Sequence, residues 1–276
     1  EDLPRLLLMQ DEPFGSLSIA AQYRVMKLAS QSVKVVLDGQ GGDEELGGYL
    51  AYQGSYVLGL LQGLHLSTAM GELLGSLRTH GRFFSDSLLQ IVVRRGRRSL
   101  LRGDIPRVLR YSGSLDAILK RELLATNLPG LLHWEDRNSM AFSIEARVPF
   151  LDYRVAEFLA ALPLSQKIRK GITKYVLRKA TRGLVPETVR CRMDKMGFAT
   201  PEEVWMREDL RPFVTEVLSS PSFRTRRYWD PDRVKANYTD FVEGRSPYSM
   251  EIWRIVCTEL WLRMMFDGAG ARGTSP

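Results

Sequence analysis

Apolar positions recur with a helical period along most of the chain, and one stretch breaks that rhythm in favour of a strand. Val33-Lys34-Val35-Val36-Leu37 is a short β-branched run with one polar residue, the pattern of a strand buried on both faces of a parallel sheet. Just upstream, Ile19, Tyr23 and Met26 mark the buried stripe of a helix over about residues 18–29, with Ser16 or Ser18 as its cap. A helix feeding such a strand is half of an α/β repeat. From Leu58 to about Leu128 the pattern changes to Leu-rich helices, with faces such as Leu73, Leu74 and Leu77, or Leu88, Leu89 and Val92. Pro129 opens a further helix that carries Leu131, Leu132 and Trp134. Asp152 caps the next, whose Val155, Phe158, Leu159 and Leu162 hold helical spacing up to Pro163. Thr173 is the expected cap of a short helix with Val176, Leu177 and Ala180 inward, ending near Gly183. Asp230-Pro231-Asp232 starts another helix, which Gly244 to Pro247 break. A long one follows from Met250 with Ile252, Trp253, Val256, Leu260, Trp261 and Met264 on a wide apolar face.

Composition adds limits. With 44% hydrophobic and 26% charged residues, the 276-residue chain is that of a globular protein of one large domain or two small ones. The longest apolar stretch, Ile252 to Phe266, is interrupted by Arg254, Glu259 and Arg263, so no membrane span is expected. The start, Glu1-Asp2-Leu3-Pro4, has neither a signal-peptide pattern nor an initiator Met, as expected of a fragment. Two cysteines, Cys191 and Cys257, make no disulfide framework and suit a reducing cytoplasm. His65, His80 and His133 lack zinc-site spacing.

The net charge of +7 permits an anionic ligand without naming it. Arg94, Arg95, Arg97, Arg98, Arg102, Arg107 and Arg110 resemble a nucleic-acid patch, but only Tyr111 supplies aromatic interleaving. A solvated face is the simpler reading. Residues 167–195 hold ten Lys or Arg against Glu187 and Asp194, with Lys174, Arg178 and Arg182 near one helix face.

Candidate chemistry collects after the strand. Asp38-Gly39-Gln40-Gly41-Gly42-Asp43-Glu44-Glu45-Leu46-Gly47-Gly48 places five glycines and four carboxylates where open α/β sheets bind ligands, beyond a strand's carboxyl end. Glycines allow close approach of backbone N–H groups, and clustered acids call for a cation or basic partners. A magnesium-bound polyphosphate would meet that need. A solvated turn is equally compatible with this composition. The loop is neither a dinucleotide fingerprint, because Glu44 stands at the third glycine, nor a Walker A loop, because the chain has no Gly-Lys pair. Further on, Glu145 and Arg147 have the makings of a simple ion pair.

Three separated stretches together carry a resemblance: Val35 to Glu44 with Gly47-Gly48-Tyr49, Asp136 to Ala141 leading to Glu145-Ala-Arg-Val-Pro-Phe-Leu-Asp152, and Lys174 followed by Lys195-Met-Gly-Phe198. The chain resembles the synthetase domain of glutamine-dependent asparagine synthetases. That resemblance implies an α/β fold of the ATP-pyrophosphatase, Rossmann-like type, N-terminally truncated and so mostly helical here. Residues 1–56 would be the remnant of the nucleotide-binding core, 57–267 the helical part and 268–276 a flexible tail. It implies a cytoplasmic ligase that uses ATP and magnesium to activate a carboxylate, aspartate or an analogue, as an acyl-adenylate. Ammonia from a separate glutaminase domain then completes the amide. A homodimer is one assembly it allows, and it implies neither membrane nor nucleic-acid binding.

By the same resemblance Asp38, Gly39, Gly41 and Gly42 line the ATP pocket, and Asp43 holds magnesium. Gln40, Lys174, Glu145 and Lys195 are the catalytic candidates, with Glu44 and Arg147 at the border. Asp38 and Gln40 depart from the Ser and Glu of many members, which leaves the acyl acceptor open. β-Lactam synthetases and peptide macrocyclases share the pattern, and a non-catalytic basic module is the remaining alternative. The glutaminase domain and the S-G-G-x-D-S phosphate loop are missing from these residues, so the chain alone is expected to bind ATP weakly and to be inactive.

Overall fold

The computed structural model describes residues 2–94, 100–103, 113–193 and 200–268, with backbone alone over 82–94. The chain opens with α1 (Leu3–Gln10) and α2 (Ser18–Ala29), then β1 (Val35–Leu37) and the one-and-a-half-turn α3 (Gly42–Leu46). The expected stripe of α2 is correct, since Ile19, Tyr23 and Met26 are all buried. Its N-cap position falls on Leu17, while the Ser16 hydroxyl accepts from the Ser18 amide at 3.2 Å.

A helical region follows: α4 (Leu50–Gln62), α5 (Leu66–Arg94), α6 (Leu115–Leu124) and α7 (Asn127–Met140). Helix α5 is kinked at Gly81, whose φ of 43° interrupts the helical backbone. Its expected apolar face is inverted. Leu74 and Leu77 are exposed, whereas Glu72 and Ser76 are buried. The cause is a hairpin turn, described below, that packs on Gly75. Leu88, Leu89 and Val92 have side chains outside the described residues.

Next come β2 (Glu145–Arg147), a 3₁₀ turn (Pro149–Leu151), α8 (Tyr153–Ala161) and α9 (Leu164–Lys167). Asp152 caps α8 as expected, its carboxylate accepting from the Arg154 amide at 3.0 Å. The apolar face of α8 is not a core face, however. Phe158 is 61% exposed, and Leu159 alone is buried.

Strands β3 (Ile168–Arg169) and β4 (Ile172–Thr173) form a hairpin that runs straight into α10 (Tyr175–Ala180). Thr173 is thus a strand residue and not the cap expected of it. The N-cap position is Lys174, with φ 53°, because the chain must turn sharply out of β4. Nor does α10 turn Val176, Leu177 or Ala180 fully inward; none of its residues is buried.

The chain closes with α11 (Glu187–Arg190), α12 (Glu202–Arg207), α13 (Arg211–Ser219), α14 (Pro221–Thr225), α15 (Pro231–Val242) and α16 (Met250–Leu262), the last running on into a π-helical turn. Asp230 and Ser249 cap α15 and α16 with their side chains.

The sheet corrects one expectation and adds a partner. Strand β1 pairs in parallel with β2, Val35 opposite Glu145 and Leu37 opposite Arg147. Among the described residues it has no second neighbour, so Val35 is 38% and Leu37 74% exposed. A strand buried on both faces needs layers on both sides, and the described residues do not supply both.

Two apolar clusters hold the rest. The larger joins Leu6, Leu7 and Phe14 to Val214, Phe223, Trp229, Phe241, Trp253 and Val256, so that α1 and α2 are built onto the C-terminal helices. The smaller holds Tyr52, Tyr56, Leu115, Ile118, Leu119 and Ile168. It lies under the loop that follows β1. No helix of the described residues is long and apolar enough to cross a membrane.

Candidate active site

The β1–α3 loop turns on glycine. Gly41 (φ 88°) and Gly47 (φ 67°) take left-handed conformations that side chains disfavour. A Cβ on Gly41 would overlap Leu151, so this glycine admits the 3₁₀ turn that follows β2. Gly42 packs on Phe150, whereas Gly39 is open. The strand pairing continues one residue into the loop, the Asp38 amide donating to the Arg147 carbonyl at 2.8 Å. Asp38 then accepts the Gln40 amide at 3.0 Å and fixes a tight turn. Segments 38–49 and 145–151, far apart in sequence, thereby become neighbours.

The third segment arrives from the β3–β4 hairpin. Lys174 Nζ lies 3.0 Å from Asp43 Oδ1, with both side chains mostly buried. Gly48 makes this possible, because a Cβ there would overlap both the Asp43 carboxylate and the Lys174 stem. The pair opens into a cavity of about 470 Å³ lined also by Phe150, Leu177, Arg178, Arg190 and Arg192. Three guanidinium-bearing side chains and an ammonium line it with Asp43; Arg190 is already paired with Glu187 at 2.6 Å, and the positive charge that remains makes a basin for anions. Burial lowers the pKa of Arg178, which donates to the Thr173 carbonyl at 2.8 Å.

Other expected residues sit elsewhere. Glu145 and Arg147 form an exposed ion pair at 2.8 Å and do not line the cavity. Glu44 is buried and turned away, accepting from the Tyr49 hydroxyl at 2.6 Å and the Asn127 amide at 2.7 Å. Glu45 is buried too, and among the described residues neither of its oxygens has a hydrogen-bond partner. Burial lifts its carboxyl to about 7, against the opposing pull of Lys167. Lys195 and the rest of its motif lie outside the described residues. Cys191, next to Arg190 and Arg192 of the cavity wall, is exposed, whereas Cys257 is buried and burial pushes its thiol up to about 12.

One residue of this neighbourhood escaped the sequence reading. Glu135 of α7 is 2% exposed and accepts from the Gln22 amide. The Asp38 carboxyl and the Gln40 amide also lie close enough to act on it. Burial first, and Asp38 second, raise its carboxyl to about 7. The signal was the polar i, i+3 pair Glu135 and Asn138, which α7 buries while Leu131 and Leu132 stay at partial depth. Asn138 donates to Gln22 at 2.9 Å and accepts from Gln10 at 2.8 Å, which continues the buried polar chain into α2 and α1.

Comparison with known proteins gives the family. The family described as Asparagine synthase matches residues 1–263. The chain is 29% identical to "Asparagine synthetase [glutamine-hydrolyzing] 1" of Bacillus subtilis (strain 168) over 287 residues, covering 94% of this chain and 45% of that protein. It is 30% identical to "Asparagine synthetase [glutamine-hydrolyzing]" of Gallus gallus over 134 residues, 43% of this chain and 24% of that one. It is 24% identical to "Amidase chry2" of Gibberella zeae over 256 residues, 73% of this chain and 37% of that one. The chain belongs to the asparagine synthase family. It spans under half the length of the Bacillus protein.

Proposed function

We propose that the chain supplies one wall of the adenylating site of an ATP-dependent, amide-forming ligase. In that reaction a side-chain carboxylate, best taken as that of aspartate, attacks the α-phosphorus of ATP. Pyrophosphate leaves, and ammonia then displaces AMP from the acyl-adenylate. The observation that carries this reading is the Lys174–Asp43 pair at the mouth of a basic cavity just beyond the carboxyl end of β1. Adenylation places its largest charge movement on the departing pyrophosphate, which fixed cations in a partly dehydrated basin stabilise.

The chain's residues divide the work. Lys174 and the guanidinium groups of Arg178 and Arg192 receive the phosphate charge, while Arg190 is held by Glu187 in the cavity wall. The Asp38–Gln40 turn borders the activated carboxylate. For Lys195 the support for a role at the reacting centre is the family resemblance. A bound magnesium ion would neutralise phosphate charge. Asp43 fits it as a single protein ligand, since magnesium takes one or two carboxylates and fills its shell with phosphate and water oxygens. Among the described residues no group of three or more metal-binding side chains exists.

The test is aspartate-dependent ATP–pyrophosphate exchange by the protein that carries this chain, with Lys174→Ala beside it. Exchange that falls by about a hundredfold in the variant at unchanged melting temperature is expected from the loss of one charge-stabilising group. Exchange that ignores Lys174 would sink the reading. The likeness to a protein named an amidase keeps a second acceptor in play, and the same exchange assay with other carboxylates separates the two.

A further inference from the structure

We propose that Glu135 is a positioning residue that shares one proton with Asp38 and so holds the Asp38–Gln40 turn in its working shape. This deepens the adenylating reading and rests on it for the turn's role, though not for the proton itself.

The argument begins with an orphan. Glu135 Oε2 takes the Gln22 amide, but Oε1 is shielded from solvent and has no donor in hydrogen-bonding geometry among the described residues. An ionised carboxylate left this way bears a large desolvation cost. What faces Glu135 is the second carboxyl, Asp38, which cannot donate unless one of the two is protonated. Two acidic groups in contact ionise one at a time, because the first charge opposes the second. A single proton held between them removes the repulsion and gives the buried carboxyl a partner.

The surroundings favour this state. Among the described residues Asp38 is the charged group that acts most strongly on Glu135. From α2 comes the neutral amide of Gln22, and from the loop that of Gln40. From α7 itself and α1 come Asn138 and Gln10, which are also neutral. The Glu145–Arg147 pair on β2 spends its charge on itself at the surface. With no cation among the described residues acting on the two carboxyls, a shared proton is the partner they supply for themselves.

The turn depends on it. Asp38 also accepts the Gln40 amide, so its orientation is set from both sides. Loss of the proton leaves two facing carboxylates, and Asp38, half-buried and on a loop, is the one free to swing away. The turn then opens as pH rises through neutrality.

The proton is read directly by carbon-13 NMR of side-chain carboxyls in this chain, with Glu135→Gln and Asp38→Asn beside it. The expected result is a glutamate signal titrating near neutrality that vanishes in Glu135→Gln and moves to a lower midpoint in Asp38→Asn. A Glu135 signal with an ordinary carboxylate midpoint would overturn the proposal. The positioning role is read from the pH profile of pyrophosphate exchange in the protein that carries this chain. Glu135→Gln keeps a neutral partner at every pH and should retain activity on the alkaline side, where the parent declines. Glu135→Ala should lose about tenfold or more at all pH values. Profiles of equal shape in parent and Glu135→Gln would reduce Glu135 to a packing residue. If the parent shows no exchange, the adenylating reading falls, and the NMR titration still decides the proton.

Discussion

Gly48 shows how much of a site is decided by an absent side chain. Its Cα faces the Asp43–Lys174 pair so closely that a methyl group would displace one member. Gly48→Ala is therefore expected to cut pyrophosphate exchange by about tenfold or more while lowering the melting temperature only slightly, since the displaced groups are side chains. A large fall in melting temperature with normal exchange would show the contact to be structural. Glu135 gives the pH dependence. Its carboxyl is raised from the ordinary 4.5 to about 7 in the folded chain, so the folded state holds the proton more tightly than the unfolded one. The stability this confers is complete at low pH and disappears as pH rises through about 7. Denaturant titrations should thus show the parent losing on the order of 2–3 kcal/mol relative to Glu135→Gln between mildly acidic and mildly alkaline pH. A gap that does not change with pH would count against it. At this scale the motifs singled out Asp43 and Lys174, and the structure brings the two together as an ion pair at 3.0 Å. The sequence was silent where a polar residue gains its meaning from burial, as at Glu135, because burial is set by other helices.

Among the elements, the β3–β4 hairpin connects the helical region to the site. Its turn residues Lys170 and Gly171 have positive φ, and Gly171 and Gly75 of α5 lie backbone to backbone. The Gly171 amide donates to Glu72 at 3.2 Å, and its carbonyl accepts from Gln53 at 2.8 Å while lying 2.9 Å from His80 Nε2. Three residues beyond Gly171 stands Lys174. Gly75→Ala would favour the helix by up to about 1 kcal/mol on propensity alone. The overlap with Lys170 should outweigh that gain. We expect a lower melting temperature and weaker exchange, read by calorimetry and pyrophosphate exchange on the same sample. A higher melting temperature would show that the turn yields easily.

Elements with a clear apolar period or start signal were legible: the buried stripe of α2 is Ile19, Tyr23 and Met26, α15 follows Asp230-Pro231, and α16 begins at Met250. Helices α5 and α8 misled, because Leu74 and Leu77 of α5 and Phe158 of α8 keep helical spacing yet stand exposed among the described residues. Strand β2 was missed for a different reason. Three residues, two of them charged and exposed, carry no period to read, and the strand exists only because β1 pairs with it.

Across the whole molecule the two apolar clusters divide the labour. The larger ties the first helices to the last and carries most of the buried aromatic residues, while the smaller supports the loop, the hairpin and thus the site. The division was only partly readable. The described residues are mostly helical, as expected, and α1 and α2 pack with the far end of the chain, which no local spacing announces.

The contrast between the two cysteines has a practical consequence. A thiol sealed in the core resists alkylation, whereas one in contact with solvent reacts. Native protein should take up one maleimide per chain, at Cys191, and mass spectrometry should find Cys257 unmodified until denaturant is added. Because Cys191 adjoins two arginines of the cavity wall, a fluorophore placed there without any mutation would report, through its emission, when a phosphate-bearing ligand enters.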